Sequence, residues 1–481
     1  MMRSNRWATL LVVLVALVIG LWLMWGSSGA LMALATAFAV AYFFVALRFR
    51  LALLVIGLVL AASPELTFGV AVPVLLQLPG FQINLKDAVY LVCFLVGVLE
   101  LARRRETPVF MVQVGLFGLA VACSIAFGLV SGSTHVNAVT RDLRYLEPYS
   151  LYFAGCGIVS DRRSLEWLMR CLAGAIFVSA CFQVVQLFVG EAGAYQTTVV
   201  GGQSVPYLSL AFIYYMLPAL CIVFASLLNE GIGLGRMALV GAGLAGMVIQ
   251  LSRQWYLYTG IGLLSVLVMS RGKRTRSVAV VAGSVAALAA AFNAGDRWLS
   301  GSFGGSLSSV VAARSEALLA PSQAETLLLR LNTNGRMAEM AQASPLLGLG
   351  PGGGAFEQEA VVFNDVGFLN TLVRFGVVGF FSVLFLIFSV ATAAIRQIQA
   401  SRNTRHKTIL IGSLSAWVGL TVAYLCWWDA FTLNSAAAAL VMIIVDRAVR
   451  LKARPSRALG QSTTRGSTFS TLRLTASPRH A

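Results

Sequence analysis

The chain has 481 residues, 58% hydrophobic and 11% charged, with a mean hydropathy of +0.81. This excludes an ordinary soluble domain and places the protein among integral membrane proteins. The net charge of +17 gives no case for nucleic acid, because the cations lie in short turns between apolar runs and read as a topology signal.

Apolar runs that predict membrane helices occur near 7–25, 30–47, 51–62, 88–101, 109–130, 145–159, 165–189 and 206–228. Others follow near 237–250, 256–269, 278–292, 366–395, 408–427 and 431–445. Some fall short of the roughly 20 residues a bilayer needs, so the expected count is about 12–14. The first run is followed at once by a second, so it reads as an uncleaved helix and not as a signal peptide. The expected class is all-α and polytopic: helices over 1–293, a cap loop over 294–365, helices over 366–451 and a basic tail over 452–481. Lys and Arg collect in alternate turns: Arg3 and Arg6, Arg48 and Arg50, 103–105, Arg162 and Arg163, Arg236, 271–276, 402–407 and from Arg447 onward. By the positive-inside rule both termini are cytoplasmic and 294–365 is outside. The tail, Ser/Thr/Arg-rich without an acid, is expected to be disordered and held near anionic lipid.

The 294–365 stretch is too polar for lipid, carrying among others Arg297, Arg314, Glu316, Arg336, Glu339 and Asp365. Apolar spacing over 307–320, 324–331 and 335–343 predicts helices there, hence a folded cap. The outer loop over 63–87 reads as interfacial, since Pro73 and Pro79 break any helix. The 190–205 stretch is a Gly-rich polar loop. No Walker motif occurs, so an ATP-driven pump is excluded. Seven cysteines lie in apolar runs without CxxC spacing, and three histidines are scattered, so no disulfide frame, metal site or cofactor is expected.

The informative polar groups lie on the outer side. In 141–147, Arg141 and Arg144 share a helix face, with Asp142 and Glu147 nearby. They form either an interfacial anchor paired to those acids or a phosphate or sugar site. Arg253 sits in the hairpin LSRQW, costly in a membrane unless it faces protein, water or an anion. Arg336 precedes a short helical pattern, and Arg374 follows two turns into the helix after the cap. Outer arginines under a cap suit a lipid diphosphate donor, because guanidinium forks bind phosphate oxygens and stabilise the departing charge. Asp365, before a helix start, is either an N-cap or a base for an attacking hydroxyl.

The succession SRQW, then NGRMAEMAQASPLLGLGPGGGAF, then NDVGFLNTLVRFGVVG resembles the O-antigen ligase and Wzy-type polysaccharide polymerase superfamily, chiefly over 237–445. The resemblance implies a GT-C type glycosyltransferase of the bacterial inner membrane. It also implies an undecaprenyl-diphosphate-linked oligosaccharide as substrate, with a chain-length regulator and a flippase as partners. On this likeness Arg253 and Arg336 fall on the arginines that hold the donor diphosphate; Arg141, Arg144 and Arg374, read from their outer position alone, are second-tier substrate-binding members of the same cluster. Ligases of the family carry His-Asn where this chain has Asp365-Val366, which leaves Asp365 as the candidate base and tilts the reading toward a polymerase. Transfer to lipid A core by a ligase, and a lipid-linked oligosaccharide flippase, are the alternatives.

Overall fold

The computed structural model describes residues 50–61, 74–78, 81–134, 136, 139, 143–144, 146–189, 196–200, 203–207, 213–249, 253–270, 283, 325–351, 366–426, 430–432 and 435–453. Its helices are α1 (Arg50–Ala61), α2 (Leu85–Arg104), α3 (Met111–Ser131), α4 (Pro148–Ile158), α5 (Arg162–Val189) and α6 (Ile213–Glu230). They continue as α7 (Leu234–Ile249), α8 (Arg253–Met269), α9 (Glu325–Ala343), α10 (Gly367–Ala400), α11 (Thr404–Cys426) and α12 (Ala436–Ala453). The chain is a mainly helical membrane protein. Four helices, Met111–Ser131, Arg162–Cys181, Gly367–Ala400 and Thr404–Cys426, are long and apolar enough to cross a bilayer.

The apolar runs become helices because backbone N–H and C=O groups in lipid have only each other as partners. The runs predicted near 7–25, 30–47 and 278–292 lie outside the described residues, apart from position 283, as do the cap helix over 307–320 and the basic tail. Two cap helices predicted over 324–331 and 335–343 are one continuous helix, α9, running through Gly335. The described part is not purely helical. Two loops carry antiparallel hairpins, β1 (Val74–Leu78) with β2 (Phe81–Asn84), and β3 (Gln196–Val200) with β4 (Gln203–Tyr207). In each case two turn-forming residues, Pro79-Gly80 or Gly201-Gly202, separate the strands in sequence.

Helix α11 lies at the centre, against α6, α8, α10 and α12. The first ten residues of α12, Ala436 to Val445, are all fully or almost fully buried, as expected for a helix that is apolar all round. Helices α2 and α4 touch backbone to backbone. A Cβ at Gly157 would stand 2.1 Å from the Gly97 carbonyl oxygen, so only glycine permits the approach.

Contacts sort the helix ends into two sets. One set holds the basic turns. Arg50 pairs with Glu100 at 2.6 Å, Arg405 with Glu166 at 3.4 Å, and Arg447 with Glu106 at 3.3 Å. The other set holds Asp87, Arg144, the end of α3 and the turn after α9.

Sequence reading counts Arg447 among the basic tail residues, but it is a buried member of α12, 2% exposed, beside the fully buried Asp446. Its Nη2 donates to Asp446 Oδ1 at 2.7 Å. Asp446 Oδ2 accepts from the Tyr152 hydroxyl at 2.8 Å and from the Val109 N–H at 2.5 Å, and the Phe110 N–H donates to the same tyrosine oxygen at 2.8 Å. The carboxylate thus satisfies a donor that the start of α3 leaves without an intrahelical partner. Breaking a buried pair strands a charge at a cost of about 3–5 kcal/mol. Arg447→Ala is therefore expected to lose that much stability in detergent thermal unfolding. Arg450→Ala, removing a half-exposed cation 3.5 Å from the same carboxylate, should cost less than about 1 kcal/mol. Equal losses would contradict the assignment of the stabilising role to the buried arginine.

Candidate functional site

Helix α9 ends where Ser344-Pro345 follows, proline being unable to continue it. Of the next residues, LLGLGP, Leu346 is exposed while Gly348, Gly350 and Pro351 are buried. They run along α10 at the point where that helix is broken. Gly376 has φ +63° and ψ −167°, outside helical geometry, and the break leaves carbonyls before it and N–H groups after it without helical partners. The turn supplies them. Leu349 N–H donates to the Val373 carbonyl at 2.7 Å and Gly350 N–H to the Arg374 carbonyl at 3.1 Å. In the other direction, Val377 N–H donates to the Pro345 carbonyl at 2.8 Å and Val378 N–H to the Leu346 carbonyl at 3.2 Å. Two carbonyls before the break and two N–H groups after it are thus paired, as buried backbone requires.

Two glycines make this contact possible. A Cβ at Gly376 would lie 2.2 Å from the Leu346 carbonyl oxygen, and one at Gly348 would lie 2.4 Å from the Arg374 carbonyl carbon; both residues have positive φ. The end of α3 completes the joint. Ser124 Oγ donates to the Arg374 carbonyl at 2.5 Å, Ser133 Oγ donates to the Leu349 carbonyl at 2.8 Å, and Thr134 Oγ1 donates to the Pro351 carbonyl. The Phe117 ring meets the Phe375 ring edge-on, with centroids 5.9 Å apart.

This joint positions Arg374, 7% exposed, on the segment of α10 that precedes the break. One turn earlier stands Asn370, fully buried, with neither amide atom hydrogen-bonded. Beside it the Thr371 hydroxyl accepts from the Tyr424 hydroxyl at 2.9 Å. An unsatisfied buried amide costs about 1–3 kcal/mol, which sets Asn370 apart on this face of α10. Sequence reading missed Asn370, although a polar residue one turn from an arginine in an apolar run is itself a signal.

The second polar group is at the starts of α2 and α4. Arg144, 27% exposed at its side chain, bonds Asp87 Oδ2 through Nη2 at 3.3 Å. Asp142 and Glu147 are the acids the sequence reading pairs with it; Asp142 lies outside the described residues, and Asp87 is a partner that reading did not name. Asp87 also accepts the Asn84 N–H at 2.8 Å, a contact across the start of α2. Glu147 sits against Asp87 with its carboxyl pushed up to about 8, first by burial and then by the charge of Asp87, with Lys86 and Arg144 opposing.

Of the other expected site residues, Arg336 is exposed on α9, inside the helix and not before it. Arg253 opens α8, but its side chain, like Arg141 and Asp365, lies outside the described residues. The structure therefore joins the second and third sequence motifs through backbone, and it bears on no meeting of Arg253 with Arg336. No protein-family model matches the chain, and comparison with curated proteins gives no match.

Gly376→Ala is expected to undock the turn, since its backbone lies in a region open essentially only to glycine, at a cost of about 1–3 kcal/mol before the overlap with Leu346. Ser124→Ala removes one hydrogen bond and should cost about 1 kcal/mol, since the Arg374 carbonyl keeps the Gly350 N–H. Unfolding midpoints by fluorescence-detected size exclusion rank them. A Gly376→Ala protein as stable as the parent would argue against the joint.

Proposed function

We propose that the chain is a polysaccharide polymerase that joins undecaprenyl-diphosphate-linked oligosaccharide repeats at the outer face of the bacterial inner membrane. The observation that carries this reading is the joint itself. The Pro345-x-x-Gly348-x-Gly350 motif and the Arg374-Phe375-Gly376 motif, picked out separately by their likeness to one superfamily, pack as a single unit with a buried arginine at its centre.

In the proposed reaction a sugar hydroxyl of one lipid-linked glycan attacks the anomeric carbon of another. A new glycosidic C–O bond forms as the bond to the diphosphate breaks. The diphosphate leaves with the electron pair on its lipid. Arg253 and Arg336, with Arg141, Arg144 and Arg374, hold the diphosphate and stabilise the charge it gains. Asp365 takes the hydroxyl proton. No nucleotide is consumed, because the energy is held in the glycosyl diphosphate.

Purified protein in vesicles with one synthetic lipid-linked repeat tests the reading. Chain growth supports it. Movement of the lipid without growth would indicate a flippase, and transfer only when lipid A core is added would indicate a ligase. Arg253→Ala and Arg336→Ala should each lower the rate on the order of 10² or more, with Lys rescuing poorly for want of a bidentate fork. Asp365→Asn should fold and fail, whereas a mere cap would tolerate Asn. Near-normal growth from both arginine variants would sink the diphosphate site.

The location is testable on its own. Reporter fusions at Gly305 and Ser401 should report opposite sides of the membrane, the first outside. The same side for both would end the outer-face mechanism.

A further inference from the structure

We propose that the cavity between the start of α5 and the turn from α10 to α11 binds the phosphate of an anionic phospholipid head group, held by Arg162, Arg402 and Arg405. It lies at the end of the molecule that carries the basic turns. None of its residues belongs to the proposed glycosyl-transfer site.

Two capped helix starts bring the three arginines to one opening. Asp161 caps α5: the Ser164 N–H donates to Asp161 Oδ1 at 2.7 Å, and the Asp161 N–H donates to Ser164 Oγ at 3.2 Å. Asn403 caps α11, its Oδ1 accepting the His406 backbone N–H at 3.0 Å. Arg162 therefore opens α5, Arg405 is the second residue of α11, and Arg402 stands in the turn before it. Glu166 ties the two helices together. Its Oε1 accepts from Arg162 Nε at 3.0 Å and pairs with Arg405 Nη1 at 3.4 Å. Among the described residues, Arg162 and Arg405 meet no acid but Glu166, and Arg402 meets none. A guanidinium has five N–H donors in a fork, so most of this donor capacity is left for a ligand.

The cavity has a volume of about 700 Å³, a size ordinary for a ligand site. Buried Leu165 and Ile409 give it an apolar wall, and the three arginines at its mouth are exposed. The acids that line it are Asp161 and Glu166, and His406 is the remaining titratable group. Asp161 is engaged in the cap and Glu166 is shared by two arginines, so the excess charge is positive. Both helices begin at the cavity, and the positive ends of their dipoles add to it. Exposed ion pairs are worth less than about 1 kcal/mol. Arg162 and Arg405 therefore exchange Glu166 for a phosphate oxygen at little cost.

Position selects the phosphate of a lipid over a phosphate in solution. Helices α5, α10 and α11 are each long and apolar enough to cross a bilayer, and the cavity lies where α5 and α11 begin and α10 ends. That is head-group depth. Trp167, the residue after Glu166, is exposed there, as aromatic residues are at a membrane–water boundary. Farther along, α5 exposes Phe177 and Val178, and α10 exposes Phe388 and Ile395, apolar surface that acyl chains cover. A phospholipid lying against these helices brings its phosphate to the arginines. An anionic head group gains from the positive excess, whereas the choline cation of a zwitterionic one is repelled by it.

The test uses the full chain in a neutral detergent, with dioctanoyl phosphatidylglycerol, dioctanoyl phosphatidylcholine and sn-glycerol 3-phosphate as separate probes. Calorimetry and native mass spectrometry should show phosphatidylglycerol bound about tenfold more tightly than phosphatidylcholine. Arg162→Gln, Arg402→Gln and Arg405→Gln should each weaken that binding about tenfold, the size of one charge-assisted hydrogen bond. Arg103→Gln removes the same charge from another basic turn, outside the cavity, and should change affinity by less than about twofold. An equal loss in Arg103→Gln would reduce the effect to the general charge of this end and overturn the site. Phosphatidylcholine bound as tightly as phosphatidylglycerol would overturn it too. Glycerol 3-phosphate bound as tightly as the lipid, and lost in Arg402→Gln, would make this a site for soluble phosphate and overturn the lipid assignment. Arg402 is exposed and meets no acid among the described residues, so its replacement is expected to fold even where loss of Arg162 or Arg405 does not. Unchanged lipid affinity in Arg402→Gln refutes the proposal.

Discussion

The exchange of backbone hydrogen bonds between Pro345–Gly350 and Val373–Val378 is the constraint on which the cap end of this protein depends. A helix interrupted in an apolar setting exposes carbonyls and N–H groups that lipid cannot satisfy. Here the break at Gly376 is stable because another segment reads the exposed groups in register, donating to two carbonyls and accepting from two N–H groups. Each side of the joint needs the other. The turn without α10 is a short glycine-containing segment with unmatched donors, and α10 without the turn has a hole in its hydrogen-bond ladder. The serine and threonine side chains of 124–134 add α3 to the same unit, so three elements distant in sequence are joined there.

Polar groups elsewhere follow a similar logic of distant satisfaction. At the end with the basic turns, Asp446 and Arg447 are buried because Tyr152, Glu106 and the start of α3 together neutralise and bond them. At the cap end, Asp87 serves both Asn84 and Arg144. The difference between the two clusters is completeness. The Asp446 cluster accounts for its carboxylate fully, which suits a structural tie. The Asp87 and Glu147 cluster leaves buried oxygens bare, and the face of α10 at Asn370 leaves a buried amide bare.

Much of the helical framework was legible in the residues. The runs at 51–62, 88–101, 109–130 and 165–189 correspond to helices with ends shifted by only a few positions, because apolar composition and length decide the matter in lipid. The two hairpins were not read, although Pro79-Gly80 and Gly201-Gly202 stand where hairpin turns are made; short strands over loops give a weak periodic signal beside long apolar runs. Of the site, Arg144 and Arg374 were picked out as outer arginines and the glycine motifs as a set. Asp87 and Asn370 were passed over, since nothing local distinguishes an aspartate at a helix start from a cap, or a single asparagine in a helix from a packing residue.

By itself, the sequence determined the class of the protein and the succession of its helices, because both follow from how many consecutive residues can leave water. It also set the basic turns apart from the other connecting segments, charge being a property of each residue alone. Tertiary structure alone decided that Gly348 and Gly376 lie against each other's backbones, that Arg144 answers to Asp87, and that Arg447 belongs to the interior. These are pairings between positions tens to hundreds of residues apart. Their energies depend on distance and burial, and neither exists until the helices have packed.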